Sequence, residues 1–377
     1  MVICFLFANT NKLVYNFKMR YDMDKRKNRY SFQDSANAFL AVILAQILLL
    51  IVYSLIINAV SEHTGMSVLD ITNTDVCMFL NMFLSEAIFF LVYLFYNIAT
   101  QKSGFKKATR LNKKFDWKIA LIVVGLAVVS LFGFNQMTEL LNYFLTNICG
   151  LNPGTTSFVI DSPVKYVICI FLMAGIPAVF EELVFRGIIF NGLREKLSPK
   201  GAVILCAILF ALMHLTIYKT FYQLIMGVIL SLIIYYTGSI TYCFLYHFLN
   251  NFMIVTINYI TATTGSQIFV YSNWGVSEII IAVVVTLVAT VLLGVVLYYL
   301  GKYCKKKTDF DKDYEDVYGN IEDSDEEANF VAGTDVTGLS EYEIKQLGTT
   351  VFITAKGWLI LSMVIAGFLW VISSFGI

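Results

Sequence analysis

Apolar residues run in long blocks through this chain, broken by short polar or charged stretches. About 20 such residues, rising 1.5 Å each, cross a bilayer as a helix. The blocks at 36–60, 76–98, 118–146, 165–193, 201–216, 220–237, 240–261, 277–301 and 358–377 meet or approach that length. Hydrocarbon offers no partner for backbone N–H and C=O groups, so blocks of this kind fold as helices. The pattern predicts an all-α polytopic membrane protein with eight or nine transmembrane helices.

Composition agrees: 58% of the 377 residues are hydrophobic and 14% are charged, too apolar for a soluble domain of this size. The net charge of zero hides a segregation. Of 27 lysines and arginines, seven fall in 12–29, seven in 102–118, three in 194–200 and seven in 302–356. With nine spans, all of these lie on one side of the membrane. The loops opposite carry only Lys165 and Lys219. The positive-inside rule therefore predicts a multi-pass protein of the cell membrane with its N-terminus in the cytoplasm and its C-terminus outside.

The chain divides into a basic N-terminal segment (1–35), N-terminal transmembrane helices (36–164), a core (165–261), a further helix (262–301), an acidic segment (302–357) and a C-terminal helix (358–377). Residues 1–17 are apolar but interrupted by Asn9, Asn11 and Lys12, without the basic start and small-residue site of a cleaved signal. They read as an interfacial segment or as an over-extended start, with Met19 and Met23 just before the basic stretch. Thirteen of 27 acidic residues lie between Asp309 and Glu343, which reads as a solvated, mostly disordered tether. Seven cysteines form no C-x-x-C pair, so neither a disulfide framework nor a thiolate metal site is indicated.

Charges inside the apolar blocks carry the chemistry. Glu181, Glu182 and Arg186 sit in the fourth block, where an ionised side chain costs at least about 2.5–3.5 kcal/mol. Glu182 and Arg186 are four apart, share a helix face and can pair. Glu181 is turned by about 100° and has no partner nearby in sequence. Glu181 lies 13 residues before Arg194, His214 lies 13 after Gly201, and Asn251 lies 13 after Gly238. All three are thus about 20 Å along their helices from the same side. His247 precedes Asn251 by one turn, and Phe210 precedes His214 by one turn. Three helices bring Glu, His, His and Asn to one layer around a buried catalytic pocket. No serine, threonine or cysteine stands in a nucleophile motif, so water is the natural nucleophile. Glu181 with His214 would activate it, and His247 with Asn251 would bind the oxyanion of a scissile carbonyl.

Glu86 is also intramembrane and reads as a structural hydrogen-bonding group or as pocket lining. Glu139 reads as interfacial, His63 as a solvated loop residue, and Asn250 as a residue turned away from the site.

The segment Pro177–Gly187 with Glu181-Glu182-Leu183-Val184-Phe185-Arg186 resembles the E-E-x-x-x-R signature of the CPBP family of intramembrane proteases, the CAAX-processing and bacteriocin-processing enzymes. Phe210–His214 is similar to that family's F-x-x-x-H motif and His247–Asn251 to its H-x-x-x-N motif, in family order across about 165–255. The resemblance implies an all-helical, glutamate-dependent intramembrane endopeptidase. Glu181, His214, His247 and Asn251 would be catalytic, with Glu182, Arg186 and Phe210 supporting. It implies no metal and no cofactor. The partners it implies are membrane lipid and a membrane-associated peptide or protein substrate, not nucleic acid; oligomeric state is not legible. Three other readings stay open: a zinc-dependent membrane peptidase using Glu and two His, a non-catalytic bacteriocin immunity or scaffold protein, and a transporter.

Overall fold

Long apolar runs with few internal glycines and prolines have one way to satisfy their backbones in a membrane, and they take it. The computed structural model describes residues 30–100, 111, 114–151, 158–266, 274–305, 330–331, 334–335 and 341–374. In chain order the helices are α1 (Phe32–Thr64), α2 (Val68–Thr72), α3 (Asp75–Thr100), α4 (Trp117–Asn147), α5 (Pro163–Leu193), α6 (Pro199–Leu212), α7 (Ile217–Thr237), α8 (Ile240–Thr264), α9 (Val276–Lys305) and α10 (Glu341–Ser374). Eight of them are long and apolar enough to cross a membrane, and α6 is a shorter apolar helix. The protein is an all-α polytopic membrane protein. The one extended pairing among the described residues is a two-residue ladder, β1 (Phe330–Val331) against β2 (Thr334–Asp335).

Three differences from the sequence reading have physical causes. The fifth block, expected over 201–216, forms a helix only to Leu212. Leu215 then adopts a left-handed backbone (φ 51°), which ends the helix and puts His214 in a turn. The last helix begins at Glu341 rather than 358: the run Glu341–Leu347 is polar but made of good helix formers. A short helix, α2, interrupts the loop after α1, capped by Ser67 accepting from the Asp70 amide. The N-terminal segment 1–29 and the acidic stretch 306–329 lie outside the described residues.

The helices α5–α8 form the interior. Leu183, Val184, Phe185 and Ile188 of α5, Cys206 and Phe210 of α6, Leu230 and Ile233 of α7, and Cys243 and Tyr246 of α8 are buried. α1, α3, α9 and α10 turn large apolar side chains outward, among them Leu48, Phe95, Leu287 and Phe368. In water this surface would drive aggregation; against lipid tails it is the expected exterior.

Polar contacts tie the ends of the helices together. At one end the Phe32 amide donates to Glu195, Tyr96 donates to Asp34 (2.6 Å), the Asp116 amide donates to Tyr242 (2.7 Å), and Tyr303 donates to Asp116 (3.0 Å). These contacts gather the starts of α1, α4 and α8 with the ends of α3, α5 and α9, the grouping that alternating spans require. Toward the other end, Lys165 of α5 pairs with Asp75 of α3 at 3.0 Å and with Asp161 at 3.2 Å.

Small residues set the closest helix approaches. A methyl on Gly133 of α4 would collide with Ala289 of α9, and one on Gly192 of α5 with Ser35 and the Ser31 carbonyl of α1. At Gly227 of α7 a Cβ would stand 2.8 Å from the Ala207 Cα of α6, a backbone atom that cannot swing aside. Gly125 of α4 faces open space. Gly227→Ala should therefore destabilise by about 1–3 kcal/mol. Gly125→Ala should be neutral or stabilise by up to about 1 kcal/mol. Thermal unfolding of the detergent-solubilised variants checks the contrast, and equal melting temperatures would refute the close approach.

Candidate active site

α5 is not a uniform helix, and its irregularities bracket the two glutamates. Pro177 has no N–H to donate, and the turn before it widens: residues Ile170–Gly175 are π-helical and the Ile176 amide reaches back to Phe171. A normal α stretch, Ile176–Glu182, carries Glu181 and Glu182. A second π stretch, Leu183–Ile189, carries Arg186, and the Phe190 amide again reaches five residues back, to Phe185. Asn191, which sequence reasoning missed, supports this wide turn. Its buried side-chain amide donates to the carbonyls of Arg186 and Gly187, both at 2.9 Å. The available signal was an Asn five residues after Arg186 in an otherwise apolar run.

Glu182 and Arg186 pair as their spacing predicted, Nη1 to Oε1 at 2.8 Å, with both side chains fully buried. Arg186 Nη2 also donates to the Gly227 carbonyl of α7 at 3.2 Å, and its guanidinium lies 4.6 Å from the centre of the Phe210 ring. An arginine in this interior is thus met by a carboxylate, a carbonyl and an aromatic face.

The same Glu182 Oε1 takes a second contact, from His247 Nδ1 at 2.9 Å. This contact was not foreseen, because nothing in the sequence spacing links residues 65 apart. With Nδ1 donating to the carboxylate, the ring is fixed and its Nε2 faces Glu181, 4.0 Å from Oε2. Glu181 is buried, and its Oε2 has no hydrogen-bond partner among the described residues. The two adjacent glutamates are therefore unlike: Glu182 is held through Oε1 by Arg186 and His247, its Oε2 left without a partner, and Glu181 makes no hydrogen bond among the described residues.

His214 stands in the turn after α6. Its Nδ1 donates to the Phe210 carbonyl at 2.9 Å, so in the neutral ring Nε2 carries the lone pair. Phe210 is the hub of the cluster, its ring edge-on to those of His214 (5.3 Å), His247 (6.0 Å) and Phe185 (5.1 Å). Glu181, Glu182, Arg186, Phe210, His214 and His247 are thus brought together. Asn251 follows His247 by one turn of α8, half-buried and with no hydrogen-bond partner among the described residues. Gln46, 14 residues into α1, donates to the Met213 carbonyl at 3.3 Å, so a further helix meets the histidine turn at the depth inferred by counting.

Residues set apart in the sequence reading also find places. Asn250 is buried in its own network, accepting from Tyr222 at 2.5 Å and donating to Ser130 at 3.2 Å, with Tyr246 donating to Ser130 at 2.8 Å. Glu86 of α3 lies near the height of Glu181: Phe90 stacks on Phe180 at 4.9 Å, and Phe89 meets Phe185 at 6.5 Å. Its Oε2 is buried with no hydrogen-bond partner among the described residues, which does not fit a hydrogen-bonded strut. His63 is exposed at the end of α1. Among the described residues no three His, Cys, Asp or Glu side chains gather as a metal site.

No curated protein and no solved structure matches the chain. Residues 163–253, from the first turn of α5 to the middle of α8, match a family model. They contain every residue of the glutamate–histidine cluster and exclude α1–α4, α9 and α10. The model is that of the family described as Rce1-like, type II CAAX prenyl endopeptidase Rce1-like, and this segment is similar to it.

Proposed function

We propose that the protein is an intramembrane endopeptidase that hydrolyses a peptide bond of a membrane-associated peptide or protein with an activated water. The observation that carries this reading is the contrast between the two glutamates: Glu182 Oε1 is engaged by both Arg186 and His247, while Glu181 makes no hydrogen bond among the described residues and stands 4.0 Å from His247 Nε2. A buried acceptor without a partner is costly to a fold and useful to a base.

In this reading a water sits between Glu181 and the lone pair of His214 Nε2. Glu181 takes its proton as the water oxygen bonds to the scissile carbonyl carbon. The carbonyl π electrons move onto oxygen, giving a tetrahedral oxyanion. Asn251 donates from its side-chain amide to that oxygen. His247, held through Nδ1–H by Glu182, donates from Nε2 when the ring carries both protons. The C–N bond then breaks as the proton on Glu181 passes to the leaving nitrogen. Arg186 and Phe210 touch no reacting atom; they hold Glu182 and the two imidazoles.

The segregation of basic residues supports an N-terminus in the cytoplasm of a cell-membrane protein. A membrane-impermeant maleimide added to intact cells should then label Cys149, which is exposed between α4 and α5, and Cys149→Ser should remove that label. Labelling that requires broken cells would reverse the orientation.

Glu181→Gln should lower cleavage by about 100-fold or more while the protein keeps its melting temperature. Comparing membrane peptides from cells carrying the parent protein and Glu181→Gln identifies the substrate. Prenylated C-terminal fragments lost in the variant would assign CAAX processing. Unmodified leader or bacteriocin-like fragments would assign maturation of secreted peptides. Identical peptide sets with an undiminished biological effect would leave a non-catalytic immunity or scaffold role. Cleavage by the purified parent should survive dialysis against a strong chelator, and its loss with recovery on adding zinc would make the enzyme a metallopeptidase.

Arg186→Met should cost about 3–5 kcal/mol, because it leaves the Glu182 charge buried beside His247 alone. The double variant Glu182→Gln, Arg186→Met should regain part of that stability, read as a higher melting temperature than that of Arg186→Met.

A further inference from the structure

We infer that the C-terminal helix α10, outside the family-matched segment, is a positioning element of the active site, with Trp370 and Ser373 holding the turn that aims His214. The inference rests on the peptidase reading for its functional meaning and on geometry for its content.

The turn is unusual in itself. Leu215, next to His214, has φ 51°, and it is the one residue other than glycine in the left-handed region among the described residues. A branched aliphatic residue held there is strained and persists only where its surroundings over-determine it. The surroundings do so from two sides. Gln46 of α1 donates to the Met213 carbonyl at 3.3 Å, and Ser373 of α10 donates to the Leu215 carbonyl. The backbone is therefore gripped on both flanks of His214. One turn earlier in α10, the indole N–H of Trp370 donates to Thr220 Oγ1 at 2.6 Å, and Thr220 donates to the Thr216 carbonyl at 2.7 Å. This two-bond chain ties α10 to the residue after Leu215.

These contacts matter because of how His214 is aimed. Among the described residues its ring is hydrogen-bonded only to its own local backbone, through Nδ1 and the Phe210 carbonyl at 2.9 Å. Rotation or slippage of residues 213–216 therefore moves Nε2 relative to Glu181. His247 is different: Glu182 of α5 anchors its ring from another helix, and among the described residues no hydrogen bond joins it to α10. The two imidazoles should thus respond differently to damage in α10, which a merely structural packing role would not produce. Packing loss loosens both rings and the fold together.

The test uses the full chain in lipid nanodiscs, with isotope-labelled histidine and His63→Gln as background. Of the chain's three histidines, only His214 and His247 then give ring signals. Trp370→Phe keeps an aromatic ring but removes the donor, and Ser373→Ala removes the hydroxyl. In the combined variant the His214 ring signal should shift or broaden while the His247 signal and the melting temperature stay in place. Turnover should fall about tenfold or more with KM within about twofold, the signature of a misplaced group. Val371→Ala, an exposed neighbour on the same helix, should change neither signal. An unchanged His214 signal would overturn the proposal. So would His214 and His247 signals moving together with a fallen melting temperature. Failure of the parent protein to cleave any peptide would remove the peptidase reading, and the histidine signals would still decide the clamp.

Discussion

A buried guanidinium is the constraint around which the interior is arranged. Arg186 cannot be neutralised, and in a membrane protein's interior its N–H groups must find acceptors or the fold bears their desolvation. Glu182, one turn back on α5, answers one N–H group, the Gly227 carbonyl of α7 answers another, and the ring of Phe210 from α6 lies against the guanidinium. His247 of α8 completes the group through Glu182. Four helices are thus registered by one charge. The same demand explains why position 227 is glycine: α6 and α7 must lie close enough for the carbonyl to reach the arginine, and a side chain would hold them apart.

Much of this was legible in the chain. Apolar block lengths gave the spans, the i,i+4 spacing gave the Glu182–Arg186 pair, and equal counts from the flanking turns gave the common depth of Glu181 and His214. Gln46, meeting Met213 from α1 at a similar count, obeys the same arithmetic. Other features were hidden because their cause is not local. The His247–Glu182 contact joins residues 65 apart and depends on how α8 packs against α5. The π-helical turns of α5 follow from Pro177 but also need Asn191 to bond the carbonyls of the second turn, a tertiary accommodation that periodicity cannot signal. The early end of α6 at Leu212 rests on Leu215 taking a backbone conformation that its side chain disfavours. The polar start of α10 misled in the opposite sense: acidity suggested a tether where helix propensity prevailed.

The residues that the family pattern covers and the residues that hold them in place are separate sets. Residues 163–253 supply the glutamates, the arginine and both histidines. The supports of the histidine turn come from α1 and α10, and Glu86, near the height of Glu181, comes from α3. A segment that carries a site need not be able to fold it. The left-handed Leu215 depends on contacts that the segment does not contain.

The adjacent glutamates show how one local sequence yields two chemical characters. Side by side on a helix they differ by about 100° in direction, and that rotation decides what each meets. Glu182 meets a cation and an imidazole and binds both through one oxygen. Glu181 meets an imidazole nitrogen at 4.0 Å, too far to bond, and keeps an oxygen unengaged. If Arg186 lay on the other face, Glu181 would be the anchored group and Glu182 the free one. The site would then lose the connection through His247 to α8. Glu182 leaves its other oxygen without a partner as well, but its charge is met by the guanidinium. Glu86, near the height of Glu181 and also buried with an unpartnered oxygen, would add like-charge repulsion if both ionised, whereas the salt-bridged Glu182 stands with Arg186 as a nearly neutral unit. Pairing with Arg186 thus keeps Glu182 from adding a further uncompensated charge beside Glu181.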